Sequence, residues 1–320
     1  MKAEEDNPAG KSGNPAILVK NLARHFGKKN TKVQALHDIS LSVAKGELFG
    51  IIGPDGAGKT TLFRILATLL LADSGLAKVE GLDVVRDYRE IRNRVGYMPG
   101  RFSLYQDLTV QENLEFFATI FNANISENYD LVRDIYSQIE PFRDRRAGKL
   151  SGGMKQKLAL SCALIHRPSV LFLDEPTTGV DAVSRKEFWE MLQKLREKGI
   201  SILVSTPYMD EASLCDRVAL IQAGRILSVN TPRGILEEFS KPLLAVKAEK
   251  MYPLLKQLKS DSDIESAYPF GEYHHVVLRP GAAGALAGSY RDNFPGLEVS
   301  EAKPTVEDCF MALMSVEEDE

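Results

Sequence analysis

The chain has 320 residues, with 40 Lys and Arg against 44 Asp and Glu for a formal net charge of −4. That balance excludes nucleic-acid binding through bulk charge, and 44% apolar with 26% charged residues is ordinary for a globular chain of up to two domains. Three scattered cysteines, Cys162, Cys215 and Cys309, offer no C-x-x-C spacing, which excludes a zinc framework or disulfide scaffold and fits a reducing cytosol. No apolar run is long enough for a bilayer, since the longest candidate, 62–72, is interrupted by Arg64. The N-terminus carries no apolar signal-peptide core either. The expectation is a soluble chain whose membrane role comes from a partner.

Residues 1–15 are charged, rich in Gly, Pro and Asn and without periodicity, which predicts a disordered leader. Strand character at 16–20 and 33–43 predicts a small antiparallel unit ahead of a further strand at 47–52. Then comes Gly53-Pro54-Asp55-Gly56-Ala57-Gly58-Lys59-Thr60-Thr61, which fits G-x-x-x-x-G-K-[ST]. A helical pattern over 60–72 follows it, with apolar residues at Leu62, Phe63, Ile65, Leu66, Leu69 and Leu70. This is the strand–loop–helix setting of a phosphate-binding loop. Its glycines let backbone N–H groups turn inward, and the helix N-terminus adds the positive end of its dipole. Lys59 would reach the β- and γ-phosphates, and the Thr60 hydroxyl would ligate Mg²⁺.

Strands follow at 76–80 and 94–98, the second stopped by Pro99-Gly100. Thr109-Val110-Gln111-Glu112 reads as a capping box opening a helix, with a second helix at 129–139. Leu150-Ser151-Gly152-Gly153 leads into a helix reaching 165, with Ser151 placed as its N-cap. An apolar strand at 169–173 ends in Asp174-Glu175-Pro176. A helix over 182–198 closes at Gly199, strands follow at 201–205 and 217–221, and Ala223-Gly224 turns a hairpin. After residue 239 the composition shifts and the pattern spells β-α-β-β-α-β, the order of a small ferredoxin-like unit. A last helix at 305–314 precedes the acidic tail 317–320.

The phosphate loop, the Leu150-Ser151-Gly152-Gly153 element and the apolar strand ending in Asp174-Glu175, in that order, resemble the nucleotide-binding domain of the ATP-binding cassette (ABC) family. The resemblance covers about residues 17–238. It implies an α/β fold, with a P-loop NTPase core, an antiparallel β subdomain and a helical insert at about 100–165. The division would be 16–239 for the nucleotide-binding domain and 240–316 for an accessory or regulatory domain. It further implies that Asp174 holds Mg²⁺ through water and that Glu175 is the general base, a division of labour suited to phosphoryl transfer. Ser151, Gly152 and Gly153 resemble the signature that contacts the γ-phosphate of an opposing subunit. Asp181, in Thr177-Thr178-Gly179-Val180-Asp181, matches the D-loop. Phe26 stands where the family stacks an aromatic on adenine. One phosphate loop and one signature imply a head-to-tail dimer with a second nucleotide-binding subunit.

Two positions depart from the family pattern. Gly100 stands where the Q-loop has glutamine, and Gln106 lies too far along to be the same residue. Pro207, in Val204-Ser205-Thr206-Pro207-Tyr208-Met209-Asp210-Glu211-Ala212, stands where the switch histidine belongs, and proline has neither donor nor titratable group. His25, His37, His166, His274 and His275 fall outside this motif. The wording Gly-Tyr-Met-Pro, Asp-Leu-Thr-Val-Gln-Glu-Asn-Leu and Pro304-Thr305-Val306-Glu307-Asp308 is similar to the ABC-2 export branch. The expected function is an ATP-hydrolysing subunit, with ATP and Mg²⁺ as cofactors, that energises a separate ABC-2 type permease from the cytoplasmic face of the membrane, without nucleic acid. The alternatives are a hydrolysis-poor regulatory subunit, motivated by Gly100 and Pro207, and a soluble repair or assembly ATPase. The long coiled coil of repair ATPases is missing from the sequence.

Overall fold

The computed structural model describes residues 14–27, 32–282 and 289–317, and the chain divides into two compact units, one ending at Val229 and one beginning at Asn230. The leader expected at 1–15 and the tail at 317–320 lie almost wholly outside the described residues.

The first unit opens with β1 (Ile17–Phe26), β2 (Val33–Val43), β3 (Leu48–Ile52), α1 (Lys59–Leu66), β4 (Ser74–Val79) and β5 (Leu82–Asp83). It continues through α2 (Tyr88–Arg94), β6 (Val95–Met98), α3 (Val110–Ile120), α4 (Ile125–Tyr136), α5 (Gly152–Leu164), β7 (Val170–Asp174) and α6 (Ala182–Glu197). It closes on β8 (Ser201–Thr206), a short 3₁₀ turn Met209–Leu214, β9 (Arg217–Gln222) and β10 (Arg225–Asn230).

Two sheets result, an antiparallel one ordered β2-β1-β4-β5 and a larger one ordered β10-β9-β3-β8-β7-β6. In the larger sheet β3, β6, β7, β8 and β9 run parallel, and every residue of β3, β7 and β8 is buried. Such unbroken apolar runs are what a sheet covered on both faces requires. Helix α1 sits in the core between the two sheets, with Leu62, Phe63, Ile65 and Leu66 fully buried and Phe63 meeting Phe172 edge-on at 6.4 Å. All loops that follow the parallel strands therefore emerge at one edge, where β3 delivers the phosphate loop and β7 the acidic pair.

The helix expected over 60–72 stops at Leu66, because Thr68 takes a left-handed φ of 61° and Arg92 clamps its hydroxyl and carbonyl at 2.8 and 2.9 Å. Of the expected apolar positions beyond Leu66, Leu69 is consequently exposed, while Leu70 stays half-buried against the core. The Thr109/Glu112 capping box forms as expected, with bonds of 2.7 and 3.1 Å. Helix α4 starts four residues before the expected 129, since the Asn124 side chain caps it by accepting from the Ser126 N–H.

The second unit contains α7 (Pro232–Glu238), β11 (Leu243–Lys247), α8 (Met251–Leu258), β12 (Ile264–Phe270), β13 (Tyr273–Leu278), α9 (Ser289–Asn293), β14 (Glu298–Glu301) and α10 (Val306–Glu317). Its sheet is antiparallel throughout, ordered β12-β13-β11-β14, over a core that includes Val246, Leu254, Leu258, Val276 and Tyr290. His274 and His275 are buried, and Asp308 at the head of α10 is fully buried. The Asp308 carboxylate accepts from Tyr268 Oη, His275 Nδ1 and Thr305 Oγ1, each at 2.6 Å, and from the Thr305 N–H at 2.7 Å. Burial acts to raise its pKa, but the donors from Thr305, Tyr268 and His275 outweigh that and leave the carboxyl below its usual range.

Candidate nucleotide site

The phosphate loop is shaped by its neighbours before any ligand is considered. A Cβ at Gly53 would overlap the Ile221 carbonyl oxygen of β9, and one at Gly58, whose φ is 103°, would lie 2.5 Å from the Ala35 carbonyl oxygen of β2. These two glycines are therefore fixed by close backbone approach, whereas Asp55 and Gly56 form the exposed tip. Pro54 and Ala57 complete the turn, with Ala57 N–H donating to Pro54 O at 3.2 Å, and Thr61 lies in the first turn of α1. No side chain caps the α1 N-terminus, so its first-turn N–H groups keep no intrahelical or side-chain partner and suit an anion. Lys59, 3% exposed, points its ammonium back into the loop. It donates to Gly53 O at 2.7 Å and Pro54 O at 2.9 Å, and lies 3.1 Å from Glu175 Oε1.

Glu175 and Asp174 arrive at the end of β7. Asp174 is 2% exposed, and its carboxyl is pushed above its usual pKa by burial, against which the Ser205 and Thr60 hydroxyls act as donors. Ser205, at the end of the adjacent β8, donates to Asp174 Oδ1 at 2.8 Å and accepts from the Glu175 N–H at 2.9 Å. One buried hydroxyl thus orients both acids, a role no sequence motif announced. Glu175 takes a left-handed φ of 50°, and its side chain remains 22% exposed, open enough to face a ligand. Lys59, Thr60, Asp174 and Glu175 are therefore one cluster. Its hard oxygen donors, a buried carboxylate beside a hydroxyl, suit Mg²⁺.

Ser151, Gly152 and Gly153 open α5 instead, with Gly153 against the start of α6. Ser151 Oγ accepts from the Met154 N–H at 3.4 Å, which caps α5. The two glycines are not equivalent: a Cβ at Gly153 would lie 2.6 Å from Ser184 Oγ and 2.9 Å from its Cβ, while one at Gly152 would find only Gly179 O at 3.5 Å. Asp181 caps α6 by accepting from the Val183 and Ser184 N–H groups at 3.1 and 3.0 Å, and these bonds, Ser184's foremost, lower its pKa. Phe26 ends β1 paired with Val33, two residues from the Ala35 that abuts Gly58. Its ring is 41% exposed, with the Arg24 guanidinium 5.0 Å from the centroid.

The family model described as ABC transporter matches residues 36–178. The chain is 33% identical over 309 residues to the daunorubicin resistance ATP-binding protein DrrA2 of Streptomyces coeruleorubidus, covering 93% of this chain and 94% of that one. The chain belongs to the ABC transporter family. It is also 37% identical over 284 residues to the probable multidrug ABC transporter ATP-binding protein YbhF of Escherichia coli (strain K12), covering 88% of this chain but only 49% of that relative. The chain thus spans about half the length of YbhF. The fold resembles the dimeric structure of a post-hydrolysis state of the ATP-binding cassette MJ0796 bound to ADP and Pi, with a TM-score of 0.61 at 23% identity over 67% of this chain and 98% of that one.

Within this ABC ATPase fold the two departures acquire locations. A Cβ at Gly100 would sit 3.0 Å from Asp174 O and 3.7 Å from Glu175 Cβ, so position 100 abuts the acidic pair. Gln106 is elsewhere, its carbonyl accepting from Gly148 N–H at 2.9 Å. Pro207 follows Thr206 at the end of β8 and leads into the 3₁₀ turn Met209–Leu214.

Proposed function

We propose that this chain binds ATP with Mg²⁺ at Gly53–Thr61 and hydrolyses it at a composite site completed by the signature of a second nucleotide-binding subunit. The hydrolysis energises export through a separate ABC-2 type permease at the cytoplasmic face of the membrane. The observation that carries this reading is the cluster of Lys59, Thr60, Asp174 and Glu175 beside an uncapped helix N-terminus. Lys59 and the loop N–H groups would neutralise the phosphates, and Phe26 would stack on the base. Thr60 and Asp174 would hold Mg²⁺, which supplies charge neutralisation at the phosphate oxygens. Glu175, held at its backbone by Ser205, would orient and deprotonate the attacking water. With glycine at 100 and proline at 207, that task falls on Glu175 alone.

A second subunit fits this reading because Gly152 is exposed at the start of α5 and its one near neighbour is Gly179 O, not the phosphate loop. The MJ0796 cassette pairs as a dimer, and a head-to-tail pair of this chain, or of this chain with a related one, would bring each signature to the other's γ-phosphate. No helix among the described residues is long and apolar enough to cross a membrane. A cleft of about 450 Å³ between β6 and the helical segment, lined by Tyr97, Phe102, Phe117 and Phe121, is flanked by exposed Leu69 and Ile120. It would receive an apolar segment of the permease. The test is steady-state ATPase activity. Turnover should disappear in Glu175→Gln, and Lys59→Ala should lose nucleotide binding. Unchanged ATP affinity in Lys59→Ala overturns the assignment.

A further inference from the structure

Pro207 removes the side chain that would act from the loop after β8, yet this loop is tied to the acidic pair by another route. Glu211, 2% exposed, sits in the 3₁₀ turn four residues beyond Pro207. Its carboxylate accepts from Thr206 Oγ1, and from Thr177 Oγ1 at 3.0 and 3.2 Å. Arg185 Nε, on the first turn of α6, lies 3.7 Å from Glu211 Oε1, with its guanidinium 4.6 Å from the Tyr208 ring centroid. The Thr206 hydroxyl also accepts from Tyr208 N–H at 3.1 Å. Three segments that follow β7 and β8 or begin α6 therefore meet on one buried carboxylate.

Thr177 is 1% exposed and follows Glu175 by two residues, with only Pro176 between them. The chain leaves Glu175 in a left-handed conformation that a non-glycine residue holds only when its surroundings fix it. Those fixings are on both sides: Ser205 receives the Glu175 N–H, and Glu211 receives the Thr177 hydroxyl. A buried carboxylate held largely by neutral hydroxyls is a costly way to fill space, since an apolar side chain of equal volume would pack there without desolvation.

We propose that Glu211 is a positioning residue for ATP hydrolysis, holding the backbone on which Glu175 sits through Thr177 and coupling it to the loop that carries Pro207. It touches no substrate and acts through the fork of two hydroxyls. This inference rests on the proposed hydrolytic function. Glutamine at 211 keeps the volume but removes the charge and replaces one of the two accepting oxygens with an N–H₂ donor, so Thr177 loses one of its two acceptors and must share the remaining oxygen with Thr206.

The test measures ATPase kinetics, nucleotide affinity and melting temperature for Glu211→Gln, Thr177→Val, Thr177→Ser and the double variant Glu211→Gln/Thr177→Val. The expected result is a roughly 10- to 100-fold fall in kcat for the first two, with KM and ATP affinity within about twofold of wild type. Thr177→Ser recovers the turnover lost in Thr177→Val, and the double variant loses no more than the worse single, as expected when both remove one contact. Wild-type kcat in both Glu211→Gln and Thr177→Val, or a loss seen in KM and affinity instead, overturns the inference. Should Glu211→Gln fail to fold, Thr177→Val against Thr177→Ser decides alone. Wild-type turnover that Glu175→Gln abolishes, with Glu211→Gln and Thr177→Val unaffected, defeats only this inference; no turnover sensitive to Glu175→Gln defeats the functional reading itself.

Discussion

Gly153→Ala tests whether the second signature glycine is there for packing. Its added methyl would stand 2.9 Å from Ser184 Cβ and 2.6 Å from Ser184 Oγ, where carbon atoms normally rest about 3.5–4.0 Å apart. The hydroxyl can rotate, but the Cβ cannot, and Ser184 cannot retreat freely because its N–H is bound to Asp181 Oδ1 at 3.0 Å. Overpacking of this kind costs about 1–3 kcal/mol, offset by up to about 1 kcal/mol from replacing glycine in a helix. The net spans about 0–3 kcal/mol and centres on about 1.5 kcal/mol, which corresponds to a melting temperature lower by roughly 3–6 °C for a unit of this size. Calorimetry of Gly153→Ala, Ser184→Gly and the double variant measures it. Ser184→Gly removes both contacted atoms, so the double variant should regain most of the loss. A Gly153→Ala protein that melts at or above wild type, or a double variant that recovers nothing, would refute the reasoning. Gly152→Ala should barely move the melting temperature while depressing ATPase activity, because its neighbour lies at an ordinary 3.5 Å.

Ser205→Ala removes the donor to Asp174, so the Asp174 carboxyl moves further above its usual pKa; the acidic limb of the ATPase pH profile should shift upward and turnover fall about tenfold, read from kcat against pH. A raised carboxyl pKa is a cost to stability that builds up as pH rises from the unfolded value to the folded one and is full above it, so this variant should not be more stable at neutral pH than wild type. Phe26→Ala should weaken ATP binding by about 10-fold, measured by titration calorimetry, with kcat unchanged at saturation. Asp308→Asn should cost about 2–3 kcal/mol. Because the folded Asp308 carboxyl lies below its unfolded value, its stabilisation is present above about pH 4 and fades as pH falls through the folded pKa, so the gap to wild type in calorimetric melts should narrow toward pH 3.

What was legible in the sequence is what local pattern encodes. The phosphate loop, the Thr109 capping box, the Ala223-Gly224 hairpin and the buried strands β3, β7 and β8 all announce themselves within a few residues. Helix α2 did not, because Arg89, Glu90, Arg92 and Arg94 crowd it and only Ile91 is buried, leaving no amphipathic stripe to count. Leu69 and Leu70 extended the helical period past the true end of α1, and the Arg92 clamp on Thr68 that ends it comes from 24 residues away. The site divides along the same line. Lys59, Thr60, Asp174 and Glu175 were readable as motifs, whereas Ser205 and the Thr177–Glu211 fork depend on β7 and β8 being neighbours. In the second unit, the alternation of β-α-β-β-α-β was visible, but Asp308 meets His275 across 33 residues.

The first turn of α6 is a shared foundation. Asp181 caps it, Ser184 bears on Gly153 of the signature, and Arg185 reaches the carboxylate that holds Thr177. In the proposed head-to-tail pair the signature would face the partner's nucleotide, while Glu175 would face the chain's own. Both lead back to that turn, so in such a pair a displacement imposed at one nucleotide would be handed to the other as a mechanical load, and the two sites would not keep independent time.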